Sequence, residues 1–266
     1  MDNLIKNKIK PEGIIFDFGF TLFHFMNPSL ENYIETEYQG LNLVAEFLKK
    51  EGLFSDESFD IFVKNVKKQN IKFLYLSFKT KLEYPTTYIL EFVLRNMKEL
   101  ESSILERFLT PEVLNELSNK YHSFSDDAWI PFEDTRKTLE TLTEVKIKTA
   151  VLSNAQHHNS IINMLKKHDL YDYFNTVVTS ADFGKRKPNI EIFQYTLKKL
   201  GLSYCPRNCI MVGDEAADMI GGNKAKLNTI LMERSFKFPY EQEILPKYKP
   251  DFTINKISDI LNYIHI

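Results

Sequence analysis

The sequence predicts an α/β protein, built as a doubly wound parallel sheet with one all-helical insertion. Three observations predict it. Short apolar runs without polar alternation recur along the chain, as strands buried on both faces require. Stretches of helical length separate the later runs, which is the alternation of a parallel sheet with crossover helices. Between the first run and the second, roughly a hundred residues pass that carry helical periodicity instead.

The first run is Ile14-Ile15-Phe16, followed by Asp17. Residues 29–50, 55–79, 83–100 and 102–122 then read as helices. Leu41, Val44, Ala45 and Leu48 give one of them an apolar stripe, whereas Leu74, Leu76 and Phe78 are less regular. Most of the aromatics here (Tyr33, Tyr38, Phe73, Tyr75, Phe78, Tyr84, Tyr88) fall at helical spacing and are expected to pack in a core. Residues 121–131 combine Ser, Asp, Asp and Pro and read as the returning linker. The expected division is a core of 1–24 and 127–266, with a helical cap at 25–126. The core resumes with Thr149 to Leu152, Val177-Val178, Ile210 to Val212, Thr229 to Met232 and Phe252 to Ile254. Residues 135–145, 161–168, 190–200 and 216–227 supply the intervening helices.

Composition narrows the function. Apolar residues form 43% of the 266, enough for a proper core, and a net charge of −2 gives no electrostatic reason to expect nucleic acid or membrane. The chain opens Met1-Asp2-Asn3-Leu4 without the pattern of a secretion signal, and no apolar run of about 18 residues exists, so a cytoplasmic protein is expected. Cys205 and Cys209 lack the spacing and partners of a metal or redox pair and read as reduced thiols. The basic stretch at 64–72 reads as a solvated helix face.

What ends each strand carries the chemistry. Ile14 to Phe16 ends in Asp17, Val151-Leu152 in Ser153-Asn154, and Ile210 to Val212 in Gly213-Asp214, with Asp218 one helical turn further on. In an open parallel sheet the carboxyl ends of the strands share one edge, where ligands bind. Oxygen donors gathered in this way suit a hard divalent cation such as magnesium.

Asp17-Phe18-Gly19-Phe20-Thr21-Leu22 after an apolar strand resembles the first motif of the haloacid dehalogenase superfamily. Ser153 resembles its second motif, and Lys187-Pro188 within Gly184 to Pro188 its third. Gly213-Asp214-Glu215-Ala216-Ala217-Asp218 resembles its fourth, and an insertion between the first two motifs resembles the helical cap of the C1 type. The resemblance implies a magnesium-dependent phosphatase acting on a small phosphorylated metabolite. Asp17 would be the nucleophile. Magnesium would be held by Asp17, the Gly19 carbonyl, Asp214 and Asp218. Ser153 would contact the phosphoryl group, with Thr21 and Asn154 beside it, and Lys187 would offset charge on nucleophile and phosphate. Lys185 and Arg186 are expected to be exposed neighbours of Lys187, and His157 and His158 a solvated helix start.

The pattern departs from the family at one position. Family phosphatases usually carry a second Asp two residues after the nucleophile, serving as general acid and then base. Here that residue is Gly19, a choice that would also suit a backbone at positive φ. His24 is a candidate substitute, although packing is the plainer role for it. Two alternatives therefore stay open, a dehalogenase or other carbon-centre hydrolase and a binding or regulatory protein with a retained metal site.

Overall fold

The computed structural model describes residues 9–234, 236 and 242–265. Strands β1 (Gly13–Phe16), β4 (Lys148–Ser153), β5 (Thr176–Thr179), β6 (Cys209–Gly213), β7 (Asn228–Met232) and β8 (Phe252–Ile254) form one sheet in the order β5-β4-β1-β6-β7-β8. Every pairing in it is parallel. The chain leaves β1 for one side of the sheet and later returns to its other side at β6, which makes the carboxyl end of β1 the switch point.

Both faces of the sheet are buried, which explains why its strands read as continuous apolar runs. Ile14, Phe16, Val151, Ile210 and Val212 point into one core, with side chains of α6 (Thr135–Glu144), α7 (His158–Lys167) and α11 (Ile260–Tyr263). Ile15, Ala150, Leu152 and Met211 point into the other, against Ile192, Phe193, Leu197 and Leu200 of α9 (Ile190–Leu200). Helix α10 (Ala216–Lys224) packs on this side through Gly221, where an added Cβ would lie 2.1 Å from the Phe193 ring.

The insertion runs through α1 (Leu30–Lys50), α2 (Asp56–Thr80), α3 (Thr86–Arg95), α4 (Ser102–Phe108) and α5 (Pro111–Asp127). Ser29 and Ser55 cap the first two helices by accepting the Asn32 and Ser58 amides. The expected helix at 102–122 is two helices. Thr110 accepts the Val113 amide and Pro111 occupies the first turn, which starts α5 afresh. That helix also continues to Asp127 through the segment expected to be linker, because Tyr121 and Ser125 are buried on its inner face. The links between the layers are two short antiparallel strands that sequence periodicity does not reveal, β2 (Phe23–Phe25) and β3 (Trp129–Pro131).

Leu41, Val44, Ala45 and Leu48 lie in a separate apolar core of the insertion with Phe62, Val93 and Leu117. Tyr75 and Tyr88 depart from the expectation for the aromatics, being 67% and 44% exposed. Cys205 and Cys209 are free thiols, and among the described residues no helix is long and apolar enough to cross a membrane.

Helices α1 and α5 meet at Gly40, where an added Cβ would stand 1.8 Å from the Tyr121 carbonyl oxygen. Backbone cannot yield to that extent without separating the helices. Gly40→Ala should therefore cost about 2 kcal/mol or more in urea unfolding, despite the better helix propensity of alanine. A stability equal to the parent's would show that the two helices are not in such close contact.

Candidate active site at the carboxyl edge of the sheet

Asp17 follows β1, Asp214 follows β6, and Asp218 stands in the first turn of α10. One carboxylate oxygen from each lies within 4.8 Å of the other two. All three residues are buried, so their mutual repulsion acts with little screening by water. Lys187 answers it. Its Nζ donates to Asp17 Oδ1 at 2.5 Å and lies 2.6 Å from Asp218 Oδ1, with only 2% of the side chain exposed. Burial alone would push this ammonium toward the neutral form, but Asp17 and Asp218 more than reverse that and hold its pKa above the ordinary lysine value. Burial pushes Asp218 up to about 7, opposed by Lys187. Burial and the nearby Asp17 charge push Asp214 well up, opposed by Arg234.

Neighbouring side chains set this geometry. The Lys187 amide donates to Asn154 Oδ1 at 2.7 Å, and Asn154 Nδ2 donates back to the Lys187 carbonyl at 3.3 Å. Asn154 lines the cavity, as its expected place beside the substrate requires, and both ends of its amide also fix the lysine. Thr21 stands in the turn after β1. It is fully buried, and its hydroxyl donates to Asp214 Oδ1 at 3.1 Å. Ser153, at the end of β4, does face the cavity above Asp17.

Gly19 sits in a tight turn whose hydrogen bonds run from Phe20 N–H to the Phe23 carbonyl and from Leu22 and Phe23 N–H to the Phe18 carbonyl. None of these uses the Gly19 carbonyl. Gly19 is not the left-handed residue here; Phe20 is, at φ 55°. What glycine provides is space, since a Cβ would come 3.1 Å from Trp129 Cη2. A side chain at position 19 would press on the indole unless the ring gave by a few tenths of an ångström.

The cavity of about 450 Å³ above Asp17 lies between sheet edge and insertion. Leu30, Tyr33, Ile34, Leu74 and Phe78 make its upper wall apolar, so two of the aromatics expected in a core face it instead. Two further expectations are corrected here. Arg186 is buried rather than exposed, because the insertion supplies Glu83, whose Oε2 lies 2.6 Å from Arg186 Nη1 and accepts from Ser180 Oγ at 2.5 Å. Lys185 pairs at the surface with Glu191. His157 is also buried, its Nδ1 2.9 Å from Ser160 Oγ and its ring stacked on His122 of α5 at 5.2 Å. Burial pushes His122 down to about 3 and His157 to about 4, each helped by a neighbouring histidine, so both are neutral near pH 7. His158 bonds to Thr179. His24 lies on β2 against Phe132 and is not among the residues that line the cavity. Two carboxyls that sequence reasoning missed do line the cavity. Burial pushes Asp126 and Glu37 up to about 7, opposed by Ser160 and Tyr121 respectively.

The chain is similar to several known proteins. A family model described as haloacid dehalogenase-like hydrolase matches residues 59–232, which include Ser153, Lys187, Asp214 and Asp218 but not Asp17. The pyrophosphatase PpaX of Bacillus pumilus is 28% identical over 184 residues, 67% of this chain and 81% of that protein. Among solved structures, the magnesium-bound HAD-hydrolase YfnB of Bacillus subtilis is similar over 97% of this chain and all of that one (TM-score 0.57, 16% identity). A HAD phosphatase from Thermococcus onnurineus is similar over 96% and 99% (TM-score 0.55, 20% identity). At these identities the structures establish the fold alone.

The raised carboxyl of Asp126 makes stability depend on pH. Asp126 faces Ser160, Asp127 and Lys167, the last two paired with each other at 2.6 Å. A carboxyl that titrates near 7 when folded and near 3.8 otherwise stabilises fully below about 4, and that contribution is lost as pH rises toward 7. Asp126→Asn mimics the protonated form. Its stability relative to the parent should therefore grow between pH 4.5 and 7.5 in urea titrations and then level off. A difference independent of pH would mean that Asp126 is ionised in the fold.

Proposed function

The chain belongs to the haloacid dehalogenase-like hydrolases, and from that membership we propose a magnesium-dependent phosphatase that attacks a small organic phosphate with Asp17. The observation that carries this reading is Lys187, buried between Asp17 and Asp218 in a cluster of three carboxylates. Such a site is built to gather negative charge and then tolerate more of it. The donor set fits magnesium, being all oxygen, with one carboxylate oxygen each from Asp17, Asp214 and Asp218 within 4.8 Å of the others. Asp17, Asp214, Asp218 and the Gly19 carbonyl would hold the ion, which supplies charge neutralisation between an anionic nucleophile and an anionic phosphate.

The chain's own residues account for the remaining steps. An Asp17 carboxylate oxygen attacks phosphorus, and the bond to the leaving oxygen breaks with its electron pair going to that oxygen. Water then attacks phosphorus, which frees phosphate and returns the Asp17 carboxylate. Lys187 steadies the charge on Asp17 through both steps, and the Ser153 hydroxyl donates to a phosphoryl oxygen. A pyrophosphatase among the relatives supports attack at phosphorus. The three clustered carboxylates weigh against the carbon-centre alternative, which needs no metal.

The leaving group is where this chain differs from the family pattern. Gly19, with Trp129 beside it, has no side chain to protonate the departing oxygen. The proposed substrates are therefore organic phosphates whose leaving oxygen is already acidic, with an apolar body suited to Tyr33, Leu74 and Phe78. Across aryl and alkyl phosphates, turnover should fall steeply as the leaving group becomes more basic. Alkyl esters should trail by about 10²–10⁴-fold, the contribution typical of a positioned acid. A flat dependence would mean that another acid acts, with Asp126→Asn the first variant to make. Asp17→Asn should remove nearly all turnover with the fold intact; a folded variant with substantial activity would refute the nucleophile.

A further inference from the structure

Asp214 does not face the cavity alone. Arg234, two residues beyond β7, brings Nη1 to 2.9 Å from Asp214 Oδ2 and Nη2 to 3.8 Å from Glu215 Oε1. Its side chain is 6% exposed, and its guanidinium lies 4.8 Å from the centre of the Phe20 ring. Phe20 belongs to the turn that follows the nucleophile. The arginine is thus docked against two of the segments that form the acidic cluster.

We propose that Arg234 is a built-in competitor for the metal site, seated on Asp214 when no divalent cation is bound and withdrawn from it when one binds. The proposal rests on the acidic cluster being the magnesium site. Thr21 donates to Asp214 Oδ1, and Arg234 stands at Oδ2, the oxygen that the hydroxyl does not use. Lys187 lies at Asp17 Oδ1 and Asp218 Oδ1, so Arg234 is the cation seated on Asp214. The two cations divide the three carboxylates between them, which lets a repulsive cluster fold without metal. The same arrangement sets a threshold for metal binding. A guanidinium within a few ångströms of a divalent ion repels it strongly in a poorly screened site, so the ion must displace Arg234 as well as lose water. Phe20 provides the rest position, since a guanidinium stacks well on an aromatic face.

The test is direct binding of Mg²⁺ and Mn²⁺ by isothermal titration calorimetry, without substrate. The proteins are the parent, Arg234→Met, Arg234→Lys and Asp214→Asn. Methionine keeps an apolar stem against Phe20 and removes the charge. Arg234→Met should bind either ion at least about tenfold more tightly than the parent, because a unit charge near a divalent ion has been removed. Arg234→Lys should stay within a few-fold of the parent, and Asp214→Asn should bind much more weakly. Far-ultraviolet circular dichroism checks each fold, and Arg234→Gln replaces the methionine variant should that one fail to fold. Unchanged or weaker binding in the charge-removed variant would overturn the proposal and make Arg234 an orienting partner of Asp214. No binding by either the parent or that variant would overturn the magnesium reading, and this proposal with it.

Discussion

The structure depends on keeping three buried carboxylates within 4.8 Å of one another. Left alone, they would take up protons or force the strand ends apart, because burial and like charge both disfavour their ionised forms. Lys187 is the main answer, placed between Asp17 and Asp218 and held there through its own backbone by Asn154. Thr21 and Arg234 complete the arrangement at Asp214. Each of these residues is delivered by a different connection leaving the same edge of the sheet. The parallel topology therefore positions the chemistry, and the chemistry explains why that edge tolerates so much buried charge.

The insertion converts this edge into an enclosed site. Glu83 reaches from it to Arg186 and Ser180, while Gln156 accepts the Thr86 amide through its carbonyl and donates its side-chain amide to Asn70. His122 of the insertion meets the His157 ring, and Trp129, on the returning strand, lies beside Gly19. A buried ion pair contributes little net stability, yet breaking it strands a charge, so the Glu83–Arg186 contact fixes where the insertion sits more than how stable it is. Apolar wall above and charged floor below are the basis for the proposed phosphate ester with an apolar body.

Strand positions were legible in the sequence because burial on both sheet faces writes itself as uninterrupted apolar runs, as at Ile14 to Phe16 and Ile210 to Val212. Asp17, Asp214, Asp218 and Lys187 could be found because they lie beside such runs or within compact motifs. Residues whose roles depend on distant partners could not be found in this way. Arg186 looked exposed until Glu83, 103 positions away, came to meet it. His157 looked solvated for want of His122, and the hydrogen bonds of Thr21 to Asp214 and of Asn154 to Lys187 join residues too far apart in sequence to be foreseen. Strands β2 and β3 are too short for periodicity to register. Gly19 was visible as a missing acid, but only the fold reveals the indole beside it.

The central claim is that Asp17 carries the phosphoryl group between substrate and water. Its most direct test is a single turnover of an aryl phosphate with magnesium, quenched in acid within milliseconds, followed by mass spectrometry of the peptide that contains Asp17. A phosphoryl adduct on Asp17 that forms and decays with release of phosphate is expected. An adduct on another residue, or an alkyl group carried by Asp17 through its own carboxylate oxygen, would contradict it.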